Sequence, residues 1–402
     1  MIFARLRALL GPVGVDRDPQ NLPRATPDST EALALVCRLA NAEGWKIRIE
    51  GHATWQQPDG PADLALSTRG LDAIVAVHPD DLVATVQAGT SVEEINRRLA
   101  EQRMQLAIDP PGRGERSIGS VVATGTAGPL RHGFGPVRDH VLGCTVVTGD
   151  GRVVKAGGRV VKNVAGYDLT KLNVGGFGGF GIITELHLRL RALPQHDVTL
   201  LCRGGRDALT AVARDVAQAR LQPAALELFS PALAAEPEWV LAARFAGLTE
   251  AVRADLQQLA SVTDATWVPL SPDRTGAFWA LTSRGALSGP VTFRLGVLPD
   301  GLDETLDLLA IELDVGLVSA GAASGSLRWT GEATLAQLRA LRRMCANREI
   351  PLTLERAPWE IRRALGHFGA YREGVDRLVG QMRTTFDPRG LLAVALEGTE
   401  RD

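Results

Sequence analysis

A glycine-rich stretch over residues 118–194 constrains the fold of this chain more than any other feature of its sequence. Glycine recurs there between short apolar runs, as in the segments 125–128 and 175–181. Because glycine lacks a Cβ atom, its backbone can turn tightly and approach a ligand closely. Several such loops on one surface favour a large ligand held by main-chain amides, such as a dinucleotide.

The order of elements around residues 176–181 argues against a nicotinamide-type Rossmann site. The sequence GFGGFG matches G-x-G-x-x-G, but that site needs a strand before the motif and a helix after it. Here DLTKLN at 168–173 predicts a helical turn capped by Asp168. Residues 182–190 predict a strand, since leucines alternate with polar residues. The dinucleotide fold is therefore of another kind.

Length and composition indicate a folded protein with at least two domains. The chain has 402 residues, 45% of them hydrophobic and 22% charged, and a net charge of −2. That charge gives no electrostatic reason to expect nucleic acid as a partner. The four cysteines are widely spaced and form no C-x-x-C pair, so they suggest no zinc or iron–sulfur ligand set. No apolar run approaches the roughly 20 residues of a membrane span, and we expect a cytoplasmic location.

The pattern of elements along the sequence predicts an α+β protein. A helix over 30–43, a strand over 45–50, a loop over 51–61 and strands over 74–77 and 82–88 open the first half. After Pro194 the glycine density drops and strand–helix–strand units follow. These predict two ferredoxin-like halves that form one antiparallel sheet with helices on one face. We expect a two-part domain over 1–194 (subdomains about 20–105 and 106–194), a cap over 195–355, and C-terminal helices over 356–402 that return to the first domain.

Four motifs carry a family resemblance: SIGS at 117–120, AGPLR at 127–131, GPVRD at 135–139 and KNVAGYDL at 162–169. With them, residues 20–194 resemble the FAD-binding subunit of glycolate oxidase (glycolate dehydrogenase). That subunit is a vanillyl-alcohol-oxidase-like, PCMH-type flavoprotein. FDP at 386–388 matches the tail of the family weakly, and between the two regions only a pattern of elements matches.

The resemblance implies a two-subdomain PCMH-type FAD-binding domain with a ferredoxin-like cap, and FAD held without a covalent bond. It also implies a sister FAD-linked oxidase subunit and an iron–sulfur subunit as partners, in a 2-hydroxy-acid oxidoreductase that is cytoplasmic or peripheral to the inner membrane through the complex. The cofactor-binding residues it implies are Gly51, His52, Ala53, Thr54, Trp55, Pro110, Gly119, Ser120, Thr124, Gly125, Gly128, Arg131, Gly135, Asp139, Gly178, Gly181, Ile182 and Ile183. It places the segment 119–128 as a second glycine loop, between the loop at 51–55 and the turn at 175–181.

The sequence also departs from the family. His52 and Ala53 replace residues that are usually glycine or serine, and LLAV follows FDPRG where relatives have Asn-Pro-Gly. The C-terminal half has only His196 and His367, far apart, so no catalytic residue or metal site is assigned. Two alternatives stay open: a self-sufficient FAD-dependent dehydrogenase or oxidase of a small hydroxy acid or alcohol, and a non-catalytic assembly subunit with a decayed FAD site. Covalent attachment of FAD through His52 and a merely solvated 51–55 loop are further alternatives.

Overall fold

A computed structural model describes residues 1–56, 59–159, 168–313, 316–369 and 374–396. Most of the KNVAGYDL motif, including Lys162 and Tyr167, lies outside the described residues. In this part of the chain helices and strands are mixed throughout, which confirms the predicted α+β class.

The first sheet is small and lies at the N-terminus. Its strands are β1 (Val15–Arg17), β2 (Pro23–Ala25), β3 (Ile47–Glu50) and β4 (Leu64–Ser67), in the order β1-β2-β4-β3, with helices α1 (Ile2–Leu10) and α2 (Thr30–Glu43) beside them. The predicted helix over 30–43 is confirmed. The Ser29 side chain accepts a hydrogen bond from the Ala32 N–H at its start, and Gly44 ends it in the left-handed conformation.

The second sheet carries the glycine-rich stretch. Its strands run antiparallel in the order β5-β6-β10-β8-β9, and a pair β11-β7 lies beside it. The strands are β5 (Ile74–His78), β6 (Val83–Gln87), β7 (Met104–Gln105), β8 (Val141–Val147), β9 (Val153–Gly157), β10 (Ile182–Arg189) and β11 (Arg191–Ala192). The helices are α3 (Val92–Ala100), α4 (Ile118–Thr124), α5 (Arg131–Phe134) and α6 (Leu169–Asn173), with short 3₁₀ turns at Thr68–Gly70 and Val137–Asp139.

Helix α4 corrects one prediction, because residues 118–124 form a helix and not a loop. Ile118, Val121 and Val122 are buried on its inner side. Gly119 is needed for close packing, since a Cβ atom there would lie 2.8 Å from the Ala88 carbonyl oxygen. The glycine therefore brings a helix close to the end of β6, an outcome that local propensity does not reveal.

The third sheet holds eight antiparallel strands in the order β15-β12-β14-β13-β17-β18-β16-β19, which confirms the single antiparallel sheet. The strands are β12 (His196–Gly204), β13 (Ala225–Phe229), β14 (Trp239–Gly247), β15 (Val268–Pro269), β16 (Val291–Gly296), β17 (Leu317–Gly321), β18 (Ser326–Gly331) and β19 (Leu352–Arg356). The helices are α7 (Arg206–Gln218), α8 (Pro231–Ala234), α9 (Thr249–Val262), α10 (Pro272–Gly285), α11 (Leu302–Glu312), α12 (Leu335–Asn347), α13 (Trp359–Leu365) and α14 (Val375–Phe386), with a 3₁₀ turn at Pro299–Gly301.

The prediction that helices cover one face of this sheet is only partly right. Leu241 and Phe245 of β14 point into the large core beneath α7, α9, α11 and α12. Val240 and Ala242, which alternate with them, pack with Leu233 of α8 and Phe278 of α10 on the opposite face. Strand β14 is buried on both sides, so its sequence lacks the alternation that would have revealed the second layer.

The C-terminal segment joins the first sheet. The Ile47 N–H donates to the Leu391 carbonyl at 2.8 Å, and the Ala393 N–H donates to the Ile47 carbonyl at 2.8 Å. Both carboxylate oxygens of Asp387 accept hydrogen bonds, from the N–H groups of Leu391 and Leu392. The segment makes this contact although it lacks the Asn-Pro-Gly sequence.

The search for membrane spans covered the described residues. None of their helices has both the length and the apolar character needed to cross a bilayer.

Candidate functional site

A cleft lies where the two N-terminal sheets meet the C-terminal part of the chain. Its volume is about 1140 Å³, including space open to solvent. The N-terminal half contributes the loop after β3, helix α4 and the glycine turn before β10, and the C-terminal half contributes Glu355, Arg362, His367, Ala393 and Val394.

The loop after β3 lines this cleft and carries uncommitted hydrogen-bond donors. Within the described residues, the backbone N–H groups of His52, Ala53, Thr54 and Trp55 donate to no other group. Ala53 has a φ of +54°, which turns the loop sharply. Successive free N–H groups in such a turn form a concave anion-binding site.

Helix α4 and the glycine turn form the adjoining wall. The Gly175 N–H donates to the Val122 carbonyl at 2.9 Å, and the Phe177 N–H donates to the Ala123 carbonyl at 2.7 Å. The turn thus closes the C-terminal end of α4 before the chain enters β10. At the other end of α4, the Ser117 hydroxyl is buried and has no hydrogen-bond partner within the part of the chain that the structure describes. A Cβ atom at residue 51 would overlap this hydroxyl, so Gly51 leaves space beside it.

A buried ionic cluster forms the floor between the two halves. The Trp55 indole N–H donates to the Glu355 carbonyl at 3.3 Å, and the Arg116 guanidinium lies 4.3 Å from the centre of the Trp55 ring. The Glu355 side chain is fully buried and pairs with Arg328 at 2.8 Å and Arg294 at 3.6 Å. Burial lowers the pKa of Arg116 to about 9, so it remains charged at neutral pH.

His367 lines the cleft from the C-terminal side, although its isolation in the sequence gave no sign of this. Its ring stacks on the Phe177 ring with centroids 3.9 Å apart, and its Nδ1 lies 2.7 Å from the Leu354 carbonyl oxygen. Burial lowers the pKa of His367 to about 4, so the imidazole is neutral at neutral pH. With Nδ1–H bonded to the carbonyl, Nε2 is left as an acceptor.

Two charged side chains at the end of β3 complete the polar lining. Arg48 pairs with Asp18, and within the described residues its Nε–H donates to no group. Glu50 Oε1 accepts no hydrogen bond from the described residues and lies 3.6 Å from the Arg24 guanidinium. Burial raises the pKa of Glu50 despite the nearby charge of Arg48.

Twelve of the predicted cofactor-binding residues line this cleft. They are Gly51, His52, Ala53, Thr54, Trp55, Gly119, Ser120, Thr124, Gly178, Gly181, Ile182 and Ile183. Glu355 and His367 also line the cleft, and Arg116 packs on Trp55 beside it. None of the three was predicted, because only the fold brings them to this place.

The other six predicted residues lie outside the lining of the cleft: Pro110, Gly125, Gly128, Arg131, Gly135 and Asp139. Gly125 ends α4 with a φ of +61° and packs on Gly175, and Gly128 packs on Asp109. These two glycines permit contacts within the protein, which differs from the ligand approach expected from the sequence. Arg131 and Gly135 bound the short helix α5, and Asp139 forms an exposed pair with Arg138.

Comparison with known proteins identifies the first half of the chain. The model of the FAD binding domain matches residues 23–157. These residues are similar to the FAD binding domain family. They include the loop after β3, helix α4 and the strands that hold them, and so carry most of the cleft.

Relatives and solved structures extend this result. Glycolate oxidase subunit GlcE of Escherichia coli is 38% identical over 159 residues, which are 39% of this chain and 45% of GlcE. A mitochondrial D-lactate dehydrogenase (cytochrome) of Arabidopsis thaliana is 38% identical over 184 residues, 44% of this chain and 31% of that enzyme. The chain thus spans less than half the length of these curated relatives.

The fold of the whole chain resembles a solved alkyldihydroxyacetonephosphate synthase, with a TM-score of 0.74 and 14% identity over 97% of this chain and 84% of that one. This likeness supports the predicted architecture, a PCMH-type FAD-binding domain with a cap.

The residues of the cleft fit FAD. The N–H groups of the loop after β3, which are free among the described residues, suit a diphosphate. The buried Ser117 hydroxyl has no partner among those residues, and Gly51 leaves room beside it. Three segments of the N-terminal half and the C-terminal segment line the cleft together.

Proposed function

We propose that this chain is the FAD-binding subunit of a multi-subunit 2-hydroxy-acid oxidoreductase of the glycolate type, whose flavin accepts or relays electrons toward an iron–sulfur partner. The observation that carries the proposal is the convergence of residues 51–55, 119–124 and 178–183 on one cleft with uncommitted N–H donors. The similarity to a protein named as a glycolate oxidase subunit supports the reaction class.

The chain's own residues would bind and shield the cofactor. The N–H groups of residues 52–55 would hold the diphosphate, and the Ser117 hydroxyl would donate to an oxygen beside Gly51. Trp55, held between Arg116 and Glu355, would exclude water from the floor of the cleft. Bound FAD supplies the hydride and electron-transfer chemistry.

We assign the iron–sulfur centre to a partner subunit because the cysteines of this chain are distributed over separate places. Cys37, Cys144, Cys202 and Cys345 are all buried, and they belong to three different hydrophobic cores. Iron–sulfur clusters need several cysteine thiolates around one site. A sister flavoprotein subunit would then hold the substrate, and the complex would be cytoplasmic or peripheral to the inner membrane.

We also propose that the chain divides into an FAD-binding unit over 1–194, a cap over 195–355 and a C-terminal return over 356–402. The three-sheet arrangement and the pairing of Leu391 and Ala393 with Ile47 support this division.

An absorbance spectrum of the purified chain tests whether FAD is bound and how. We expect flavin bands that disappear from the polypeptide after acid precipitation, since we propose that FAD is held without a covalent bond. Flavin that stays with the precipitated wild-type chain but not with His52→Ala would show covalent attachment through that histidine. A chain that shows no flavin and takes up none from added FAD would favour the assembly-subunit alternative.

Anaerobic addition of glycolate or D-lactate to the FAD-loaded chain tests the need for partners. We expect slow or incomplete bleaching of the flavin by the chain alone, and rapid bleaching when the chain is co-purified with its partner subunits. Rapid and complete bleaching by the isolated chain would contradict the subunit proposal and favour the self-sufficient dehydrogenase.

A further inference from the structure

The loop after β3 is fastened to the C-terminal half of the chain by side chains at and beyond its last N–H donor. The Trp55 indole N–H donates to the Glu355 carbonyl at 3.3 Å. The Gln56 side chain exchanges two hydrogen bonds with Ala357: its amide donates to the Ala357 carbonyl at 3.1 Å, and the Ala357 N–H donates to its Oε1 at 3.3 Å. Neighbouring strands exchange hydrogen bonds in the same way, so the loop is paired with the end of β19 and the residue after it.

Asp59 adds an ionic contact between the same two segments. One of its carboxylate oxygens accepts a hydrogen bond from the Trp359 N–H at 2.7 Å, and the other pairs with Arg362. The Arg362 side chain is buried, and its Nε–H donates to the Ala357 carbonyl at 2.9 Å. Removing the partner of a buried charge is costly, so this pair resists opening. We call the contacts of Gln56 and Asp59 with Ala357, Trp359 and Arg362 the clasp.

Gly60 lets the two sides of the clasp come together. Its φ is +94°, and a Cβ atom there would lie 2.8 Å from two carbons of the Trp359 ring. The Arg362 guanidinium lies 5.3 Å from the centre of that ring, so the ring is packed between the glycine and the arginine. Gly60, Ala357 and Trp359 lie outside the lining of the flavin cleft. The clasp therefore extends from the cleft into a region that a ligand in the cleft does not reach.

We propose that Gln56 and Asp59 are positioning residues for FAD, which hold the loop over residues 52–55 in its anion-binding shape by fastening it to the C-terminal half. The backbone N–H groups of this loop form no hydrogen bonds among the described residues, so its shape depends on its flanks. By linkage, a contact that favours the FAD-binding shape is itself strengthened when FAD binds. The inference rests on the function proposed above, because it requires FAD in this cleft.

Gly60→Ala opens the clasp from outside the cleft, because the added methyl group collides with the Trp359 ring. Gly11→Ala is the matched control: Gly11 has a φ of +76°, but no described atom lies within 4 Å of a Cβ position there. FAD is titrated into the flavin-free full-length chains and followed by flavin fluorescence. We expect the dissociation constant to rise about tenfold in Gly60→Ala, as for coupled sites. In Gly11→Ala it should stay within about twofold of wild type, since separate sites act independently. Equal dissociation constants in the two variants would contradict the proposal.

Variants of Asp59 separate positioning from a direct effect of charge. Asp59 lines the cleft, so loss of its negative charge would by itself favour an anionic ligand. We expect the opposite, about tenfold weaker binding of FAD by Asp59→Ala, because the loop is released. Asp59→Asn keeps an acceptor for the Trp359 N–H and should fall between Asp59→Ala and wild type. Asp63→Ala is the control, since Asp63 accepts from the Lys46 N–H, also at 2.7 Å, within the N-terminal half. Binding by Asp59→Ala as tight as by Asp63→Ala, or tighter, would overturn the proposal.

Amide hydrogen exchange of the wild-type chain with and without FAD tests the reverse effect. The N–H groups of Ala357 and Trp359 donate to the clasp, so their exchange reports its opening. We expect saturating FAD to slow both by about tenfold, the factor by which opening the clasp weakens FAD binding. The Gln337 N–H, which is capped by Thr334 within the third sheet's helices, should be slowed less. Equal slowing at all three sites, or none, would contradict the proposal even if every variant failed to fold. A chain that takes up no FAD would instead contradict the function proposed above.

Discussion

At the scale of single residues, the loop after β3 shows how backbone conformation and free donors prepare a binding surface. Ala53 has a left-handed backbone, which costs a residue with a Cβ atom about 1–2 kcal/mol. The four N–H groups of residues 52–55 have no partner among the described residues. A loop that keeps both features is arranged for an anion, since neither contributes to the stability of the protein by itself.

Charge placed in this loop should weaken cofactor binding without changing the fold. Aspartate and asparagine both tolerate the left-handed conformation, so Ala53→Asp and Ala53→Asn differ mainly in charge. We expect Ala53→Asp to bind FAD about tenfold more weakly than Ala53→Asn, because its carboxylate repels the diphosphate. Equal dissociation constants in a flavin fluorescence titration would mean that the diphosphate does not lie at this loop.

At the scale of elements, helix α4 and the glycine turn act as one unit. The turn donates two hydrogen bonds to the last carbonyls of α4, and Gly125 ends the helix directly against Gly175. The position of the turn, and of Ile182 and Ile183 after it, therefore depends on how α4 ends.

Gly125→Ala should disturb this unit. The φ of Gly125 is +61°, and a Cβ atom there would lie 3.1 Å from the Gly175 Cα. We expect a loss of about 1–2 kcal/mol in the free energy of unfolding and weaker retention of FAD. Gly276→Ala is the matched control, because Gly276 lies inside α10 with no atom near a Cβ position. This control should be stabilised by up to about 1 kcal/mol in urea unfolding. Losses of equal size in both variants would show that the contact with Gly175 is unimportant.

The elements that the sequence revealed are those determined by nearby residues. Ser29 and Gly44 mark both ends of α2, and Asp168 caps α6 by accepting from the Lys171 N–H. Helix α4 was not predicted, because Gly119 and the glycines after the helix indicated a loop. The need for glycine at position 119 follows only from its short distance to Ala88. Likewise Glu355 and His367 meet the loop after β3 and helix α4 only when both halves are folded, so no local pattern could place them in the cleft.

At the scale of the whole molecule, the two halves are held together by buried polar contacts. Arg328 and Arg294 of the third sheet donate to the carbonyls of Ala127 and Gly125 at 3.0 Å, and Glu355 balances their charge. Asp59 adds a further link, to Arg362 and to the Trp359 N–H.

Glu355→Gln should therefore destabilise the joined halves. Burial opposes ionisation of Glu355, but the charges of Arg328 and Arg294 outweigh it, so the pKa of Glu355 lies below its usual value. We expect a loss of about 3 kcal/mol at neutral pH, because two buried arginines lose their carboxylate. Because the pKa of Glu355 is lower in the folded state than in the unfolded state, its ionised form stabilises the fold at any pH above the unfolded pKa. This stabilisation is lost as the pH falls through the folded pKa. The difference between variant and wild type should then shrink in acid.

Glu360→Gln provides the control for this experiment. Glu360 forms an exposed pair with Arg363 at 3.0 Å, so its loss should cost less than about 1 kcal/mol at any pH. Urea unfolding of both variants at neutral and acidic pH makes the comparison. A deficit in Glu355→Gln that stays constant with pH would contradict an electrostatic origin.

The pairing of Leu391 and Ala393 with Ile47 also has a consequence for biosynthesis. The segment completes the edge of a sheet made from the start of the chain, and Ala393 and Val394 line the flavin cleft. The strands of the first sheet leave the ribosome long before residues 391–394 do. Until then, the edge of β3 in the nascent N-terminal half stays unpaired. Chaperones protect intermediates with exposed strand edges of this kind. Cofactor loading should accordingly follow the synthesis of residues 391–394.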